Sequence, residues 1–400
     1  MQNHTKITNC RVCDSRTLKQ ILDLNKQPLA NSYHDGKELE NFPLALNLCD
    51  KCYHLQLSVV VDPNLMFKDY LYVSGTSNTL HKYFEDFVKL CQVYAPKDKK
   101  NKILDIACND GTQLDKFKDM GWDTYGVDPA ENLYQLSEKS HNVICDYWGE
   151  DVAKSMKSTF DTITAQNVFA HTHDIHAFLK ACKFVSDENT TIFIQTSQAD
   201  MIINNEFDTI YHEHLSFFNS KSMKYCANLN NFSLINVLKA DIHGGSCVFV
   251  LKKGEYDESL SIAQIEKERK LGLYDIDTYI EYAKKCKQIT TDFKNVIYKF
   301  KEDDYKVIGY GAAAKGNTFL NFAEVDLDYI VDDNELKWGL LTPGRNIEIK
   351  DPKVLKTEHP NKIVVIPLAW NFFHEIRVKT ENMLGRRPKF IKYFPEIKAV

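Results

Sequence analysis

The sequence predicts an α/β protein in which a small metal-binding unit precedes two larger units, and three observations predict it. Two CxxC pairs, Cys10/Cys13 and Cys49/Cys52, stand near the N-terminus. Residues 102–112 read as a buried strand entering a small-residue loop, and residues 306–318 repeat that plan. Four hundred residues exceed one ordinary core. The 44% hydrophobic and 26% charged content is that of a globular chain. A formal net charge of −5 gives no reason for a polyanion-binding surface, so no nucleic acid is expected as a partner; a local groove for one nucleotide diphosphate stays open. Residues 1–6 carry no apolar h-region, and no segment approaches about 18 uninterrupted apolar residues. The expectation is a cytoplasmic protein with no membrane partner. The oligomeric state is left open, with a monomer among the options.

In a reducing compartment the 11 cysteines should be free thiols, and clustered ones read as metal ligands. A CxxC turn offers two thiolates to one ion, and a second turn completes a tetrahedron. The 35 residues between the pairs leave room for a hairpin or two. Cys10, Cys13, Cys49 and Cys52 are therefore expected to hold a structural zinc, because four thiolates leave no open position for catalysis. Two unrelated CxxC pairs, or a redox dithiol, are the alternative. Residues 27–33 are turn-like, and residues 55–61 alternate as one strand. Residues 66–77 place Tyr70 and Tyr72 on one face if extended, and residues 81–90 carry a helical apolar pattern.

In the first α/β unit the strand enters Cys108-Asn109-Asp110-Gly111, and residues 113–120 read as the next helix. The following strand, 124–128, ends on Asp128, where a carboxylate suits ribose hydroxyls. One loop glycine does not meet the G-x-G-x-x-G fingerprint. The arrangement resembles motif I of the class I S-adenosylmethionine-dependent methyltransferases, which bind one nucleoside. That resemblance implies S-adenosylmethionine as cofactor, held by Asp105, Asn109, Gly111 and Asp128, with Asn167 at the end of the strand 162–167. His171 lies just beyond and is a pocket candidate by the same likeness; a cap or a packed polar group is the alternative. Residues 190–195 read as the next strand.

Residues 207–218 concentrate side chains that move protons: Tyr211, His212, Glu213 and His214, between apolar residues on both sides. If extended, Tyr211 and Glu213 share one face while His212 and His214 share the other, so a turn is needed to converge them. Strands at 233–237 and 247–251 flank His243-Gly244-Gly245-Ser246. Its glycines allow positive φ or a close approach, so a hairpin turn and a ligand site are equal readings. Residues 256–300 are rich in lysine and glutamate with helical spacing and read as a connector. In the second α/β unit, residues 309–318 make a strand end, a turn and a helix start suited to an anion, with Lys315 and Asn317 in the turn region. Asp332 and Asp333 tip the next strand, residues 362–367 form another, and residues 369–376 open a helix. The expected division is 1–66, 67–253, 254–300 and 301–400.

Taken in order, these stretches resemble the sugar-nucleotide C-methyltransferases that act on 4-keto deoxysugars. The resemblance covers nearly the whole chain: the four-cysteine unit with Pro28-Leu29-Ala30-Asn31, the methyltransferase core, and Gly309-Tyr310-Gly311-Ala312-Ala313-Ala314-Lys315-Gly316-Asn317-Thr318. Tyr211-His212-Glu213-His214 and His243-Gly244-Gly245-Ser246 are its most specific marks. It implies an N-terminal zinc-binding domain, a class I methyltransferase Rossmann-like domain and a second, C-terminal Rossmann-like domain. A nucleotide-linked sugar would lie in a cleft between domains. By this likeness His214 is the base that removes a proton beside the ketone, and Tyr211 and Glu213 steady the enolate oxygen or orient His214. A histidine suits the task because its ordinary pKa of about 6.5 leaves much of it neutral. His171 and Tyr72 would help hold the substrate, with His243, Gly244, Gly245, Lys315 and Asn317 on the substrate side.

Two departures stand out. The family often has an acid where this chain has Gln195, and a Leu-Arg pair where it has Cys247-Val248. The missing arginine is expected to bear on the substrate rather than on the reaction type. An O-methyltransferase on the same scaffold is the competing enzyme reading, and a zinc-ribbon scaffold that binds nucleotides without turnover is the competing non-enzyme one.

Overall fold

The computed structural model describes residues 3–66, 73–76, 78–197, 200–242 and 244–400. Its N-terminal strands are β1 (His4–Lys6), β2 (Leu18–Gln27), β3 (Phe42–Cys49), β4 (Leu55–Leu57) and β5 (Val59–Val61). In β2, Leu22 and Leu24 are buried while Asp23 and Asn25 stay exposed, the alternation of a one-sided sheet. β2, β3 and β4 pair antiparallel, whereas β5 pairs with β1. The single strand expected over 55–61 is thus two. Ser58 gives its N–H to Ala45 and receives the Ile7 N–H on its carbonyl, both at 2.9 Å, and so passes the chain from one sheet to the other.

The central unit alternates α1 (Asn78–Tyr94), β6 (Lys102–Ile106), α2 (Thr112–Asp119), β7 (Asp123–Val127), α3 (Glu131–Ser137), β8 (Asn142–Ile144), α4 (Glu150–Ser155), β9 (Thr162–Gln166), α5 (Ile175–Phe184), β10 (Thr191–Ser197), α6 (Met201–Asn204), β11 (Ser216–Phe217), α7 (Ser220–Leu229), β12 (Phe232–Ala240) and β13 (Ser246–Lys253). Seven of its strands form one sheet in the order β12-β13-β10-β9-β6-β7-β8. β6 to β10 run parallel, and β13 lies antiparallel to both of its neighbours. Ile103, Leu104, Ile163, Ala165, Ile192 and Phe193 are all buried, as in a sheet covered on both faces. The loops after β6, β7 and β9 therefore open at one edge, where ligands bind in sheets of this kind. β11 leaves this unit altogether. It pairs with β4, Ser216 opposite Gln56 and Phe217 opposite Leu55, and completes the N-terminal sheet β11-β4-β3-β2.

Two helices follow, α8 (Ser259–Lys270) and α9 (Ile276–Glu302). The C-terminal unit comprises β14 (Lys306–Tyr310), α10 (Ala314–Ala323), β15 (Tyr329–Val331), β16 (Ile349–Lys350), β17 (Ile363–Pro367), α11 (Phe373–Leu384), β18 (Lys389–Lys392) and β19 (Lys398–Ala399). Its sheet, β16-β15-β14-β17-β18-β19, is parallel except for the last pair. The lysines and glutamates of α9 cover only its outer face. Tyr279, Tyr282, Cys286, Ile289, Phe293 and Ile297 form a buried stripe at helical spacing. That stripe belongs to one hydrophobic cluster with Leu22 and Leu46 of the N-terminal sheet, Phe207 and Phe217, and Phe319 and Tyr393 of the C-terminal unit. Phe207 stacks on Phe319 (ring centroids 5.4 Å) and meets Phe394 edge-on. The histidine-bearing stretch is thereby threaded between the two flanking units. Among the described residues no helix is long and apolar enough to cross a membrane.

Candidate active site

The two CxxC turns are built alike. Each places a left-handed residue four positions after its first cysteine, Asp14 (φ 55°) and Tyr53 (φ 59°), and each closes with that residue's N–H on the first cysteine's carbonyl at 2.9 Å. Cys10 and Cys52 bring their sulfurs to 3.5 Å, as do Cys13 and Cys49, and all four lie within 4.8 Å of one another. A zinc ion with bonds of about 2.3 Å to four thiolates sets sulfur–sulfur edges of about 3.8 Å, so the cluster fits one tetrahedral ion. Arg11 sits between the first two ligands. Its guanidinium donates to the carbonyls of Thr172 and His173, both at 2.5 Å, and to the Ser216 hydroxyl at 3.3 Å. His54 also reaches the Ser216 hydroxyl, at 3.2 Å. Burial pulls the Arg11 pKa down to about 10, which still leaves it charged at neutral pH. The metal unit is thus fastened just beyond His171 and just beyond His214.

At the edge of the central sheet, Asp128 follows β7 and is 5% exposed. One carboxylate oxygen accepts the Asn109 N–H and the other the Ala130 N–H, each at 2.9 Å. Each oxygen keeps a second lone pair, which is what a ribose diol needs. Burial raises the Asp128 pKa. Gly111 has φ 84°, and a Cβ there would lie 3.0–3.1 Å from His141 and Ser137, so the loop turns where only glycine fits. Asn109 and Asp110 accept the Ser74 and Gly75 amides at 3.0 and 2.8 Å, docking that segment over the loop. Asp105 lies inside β6, its carboxyl accepting the Thr164 hydroxyl at 2.6 Å, and burial lifts its pKa to about 7. Asn167, at φ 53°, ends β9 with its N–H on the Gln195 carbonyl at 2.9 Å. These groups fit a nucleoside at the strand ends.

The stretch after Phe207 is folded into turns rather than extended. The Ile210 N–H closes on the Phe207 carbonyl at 3.0 Å, and the His214 N–H on the Tyr211 carbonyl at 2.9 Å. The second turn stacks the Tyr211 and His214 rings, centroids 4.1 Å apart, and sends the two residues between them elsewhere. His214 Nδ1 lies 2.7 Å from the Thr209 carbonyl, which can only accept, so Nδ1 carries the proton. Nε2 is then the basic nitrogen, and the Tyr211 hydroxyl lies 2.9 Å from it. The His171 ring is 5.0 Å from that of His214, and burial drops the His171 pKa to about 4, keeping it neutral. His212 points away, toward the Pro43 carbonyl at 3.3 Å and the Phe42 ring, and burial lowers its pKa to about 4. Glu213 is 6% exposed and accepts the Asn31 side-chain amide at 2.6 Å; burial raises its pKa to about 7.

A further cluster faces the C-terminal unit. The Trp370 indole donates to the Asp208 carboxyl at 2.7 Å, and Lys315 lies over the Trp370 ring at 4.8 Å. Gly244 and Gly245 form a turn into β13 with φ of 87° and 108°. A Cβ on Gly244 would come within 2.7 Å of the Trp370 ring and 3.3 Å of Lys315, so the glycine pair serves both as a turn and as a close approach. Burial raises Asp208 to about 6 and Glu206 to about 7. Asn317, expected on the substrate side, lies at the contact between the C-terminal and zinc-binding units. It is 1% exposed, and its amide donates to the Ala30 carbonyl at 2.8 Å, because the first turn of α10 packs against the loop after β2. Tyr72 and His243 lie outside the described residues.

The two departures from the family pattern are direct cross-strand neighbours: Gln195 of β10 is opposite Val248 of β13, and both are buried. Gln195 accepts the Tyr83 hydroxyl. The two positions are thus neighbours on one face of the sheet. Sequence reasoning missed Thr209, Arg11, Asp208 and Trp370 as positioning groups. The one local signal for Arg11 is its place inside a CxxC turn, and Trp370 carries none.

The chain matches three domain families in succession: a zinc binding domain over residues 10–67, a methyltransferase domain over 79–237 and a C-methyltransferase C-terminal domain over 241–395. It is 26% identical over 409 residues to the C-methyltransferase NovU of Streptomyces niveus, covering 98% of this chain and 97% of that one. A mitochondrial ubiquinone biosynthesis O-methyltransferase of Bos taurus is 27% identical over 104 residues, 24% of this chain and 28% of that enzyme. Among solved structures, an S-adenosylmethionine-dependent methyltransferase from Clostridium acetobutylicum aligns with a TM-score of 0.35 and 14% identity, over 44% of this chain and 92% of that one. Matched in order by a zinc-binding, a methyltransferase and a C-methyltransferase domain, and similar end to end to NovU, the chain is an S-adenosylmethionine-dependent methyltransferase.

Proposed function

We propose that this enzyme methylates carbon in a nucleotide-activated 4-keto deoxysugar, by removing a proton beside the ketone. The observation that carries the reading is the His214 tautomer: Nδ1–H is held on the Thr209 carbonyl, so a basic Nε2 is presented next to Tyr211 and His171. In this reading Nε2 takes the proton from the carbon beside the ketone, and the C–H pair moves into an enolate. Tyr211 donates its hydroxyl to the developing oxygen once Nε2 is protonated. Glu213, which the turn directs away from the Tyr211–His214 pair, has a pKa raised to about 7 by burial and enters this reading as a second proton-handling group. Bound S-adenosylmethionine supplies an electrophilic methyl group, and Asp128, Gly111, Asn109, Asn167 and Asp105 form the edge that would hold it. Cys10, Cys13, Cys49 and Cys52 would hold zinc away from the chemistry. Lys315 and the Gly244–Gly245 turn are the substrate-side groups.

The test is a panel of 4-keto nucleotide sugars carrying deuterium beside the ketone. Carbon methylation must lose one deuterium as the methyl group is gained. A methylated product that keeps all its deuterium would point to O-methylation, and no methylated product from any member would overturn the substrate class.

A further inference from the structure

We propose that Asn31, from the zinc-binding unit, is a positioning residue for Glu213, so that this unit completes the active site. The inference rests on Glu213 belonging to that site.

Asn31 is itself exposed, yet its amide donates at 2.6 Å to a carboxyl that is 6% exposed. It therefore stands where a buried acid meets the opening. The carbonyl oxygen of a protonated carboxyl is a better acceptor than its hydroxyl oxygen, so the bond to Oε1 favours Oε2 as the oxygen that carries Glu213's proton. The donor also favours the ionised form and opposes the upward push of burial on this carboxyl. One amide thus sets both where the proton sits and how readily it leaves.

The loop that presents Asn31 is fixed on both sides by the C-terminal unit. The Ala30 carbonyl accepts the Asn317 amide at 2.8 Å, and the Tyr33 hydroxyl donates to the Ala312 carbonyl at 2.5 Å. The Lys337 ammonium lies 5.1 Å from the Tyr33 ring and donates to the same Ala312 carbonyl at 2.7 Å. Through this bond the buried Asn317 of the Ala-Ala-Ala-Lys-Gly-Asn turn and the Pro-Leu-Ala-Asn loop hold each other. Among the described residues, the titratable group shown to interact with Glu213 is Tyr33 of the zinc-binding unit. Burial and nearby acids push Tyr33 far above the ordinary phenol range, so it does not titrate with Glu213.

The experiment compares Asn31→Ala, Asn31→Asp and Glu213→Gln in the zinc-loaded full chain. It measures turnover against pH with the ketosugar panel and titrates the Glu213 carboxyl by difference infrared spectroscopy, using Glu213→Gln as the blank. Asn31→Ala should raise the carboxyl's apparent pKa by about one unit, the size of one hydrogen bond to a carboxylate. The pH limb assigned to Glu213 should move with it, and kcat should fall about tenfold with little change in S-adenosylmethionine affinity. Asn31→Asp keeps the shape but replaces the donor with an acceptor, so it should shift the titration further than alanine does. An Asn31→Asp enzyme with wild-type titration and rate overturns the positioning role while leaving Glu213 in the site. A Glu213→Gln enzyme with wild-type turnover removes Glu213 from the site, and the proposal falls with it.

Discussion

Replacing His214 with asparagine separates the two jobs its ring performs. The asparagine amide overlays the Nδ1 side and can still donate to the Thr209 carbonyl, now 2.7 Å from Nδ1. The Nε2 atom vanishes, so the Tyr211 hydroxyl loses its partner at 2.9 Å, at a cost of about 1 kcal/mol in stability. Loss of a positioned general base should lower kcat by about 10²- to 10⁴-fold. S-adenosylmethionine affinity should hardly move, because Asp128 and Gly111 lie on other elements, after β7 and before α2. The decisive assay needs no methyl transfer. With a ketosugar nucleotide and S-adenosylhomocysteine in deuterated water, a working base exchanges the hydrogen beside the ketone, and mass spectrometry follows the gain. Exchange in the variant within about threefold of wild type would refute the base role, whatever happened to turnover.

Metal analysis should return about one zinc per chain, and Cys49→Ser should lose it and lower the melting temperature; a folded, active, metal-free protein would contradict the four-sulfur geometry. Arg11→Ala removes three hydrogen bonds, although the Ser216 hydroxyl keeps His54 and the His173 carbonyl stays open to water, so urea unfolding should show a loss of about 1–3 kcal/mol with zinc retained. A loss below about 1 kcal/mol would mean that the guanidinium carries none of this join. Asp208 gives a pH test. Burial lifts it from the ordinary 3.8 to about 6, so between those values the folded state holds a proton that the unfolded state has released. Stability should therefore fall by roughly 2 kcal/mol as pH rises from 4 to 6 on this group's account. Asp208→Asn keeps an acceptor for Trp370 and should flatten that part of the profile; an unchanged slope in denaturation midpoints against pH would assign it elsewhere.

The sequence made the local chemistry readable where it is written in contiguous residues. Two CxxC turns predict their own tetrahedron, because each turn is closed by hydrogen bonds within five residues. Small-residue loops after buried strands predict the edge at Gly111 and Asp128 for the same reason. What could not be read is where distant segments meet. Alternation over 55–61 is the same whether the strand continues or switches sheets at Ser58, and only the partners Ala45 and Ile7 decide it. Helical spacing over 256–300 predicts the long helix and its apolar stripe, but not which units that stripe packs against. That Gln195 and Val248 are cross-strand neighbours in the core could not be read from positions 53 residues apart either.

The turn at Tyr211–His214 shows why the flanking units matter to chemistry. A free tetrapeptide of this kind has no reason to stack Tyr211 on His214 while sending Glu213 and His212 apart. Here Phe207 is clamped by Phe319 and Phe394 of the C-terminal unit, and Ser216–Phe217 are paired to β4 of the zinc-binding unit. With both ends held, the intervening chain must turn, and the turn selects the partner of each polar group: Thr209 for His214, Asn31 for Glu213, Pro43 for His212. A central methyltransferase sheet alone supplies His171 and the cofactor edge but none of these three partners except Thr209. The proton-handling geometry is therefore a product of all three units, which is a physical reason for this order of domains to be kept together in one chain.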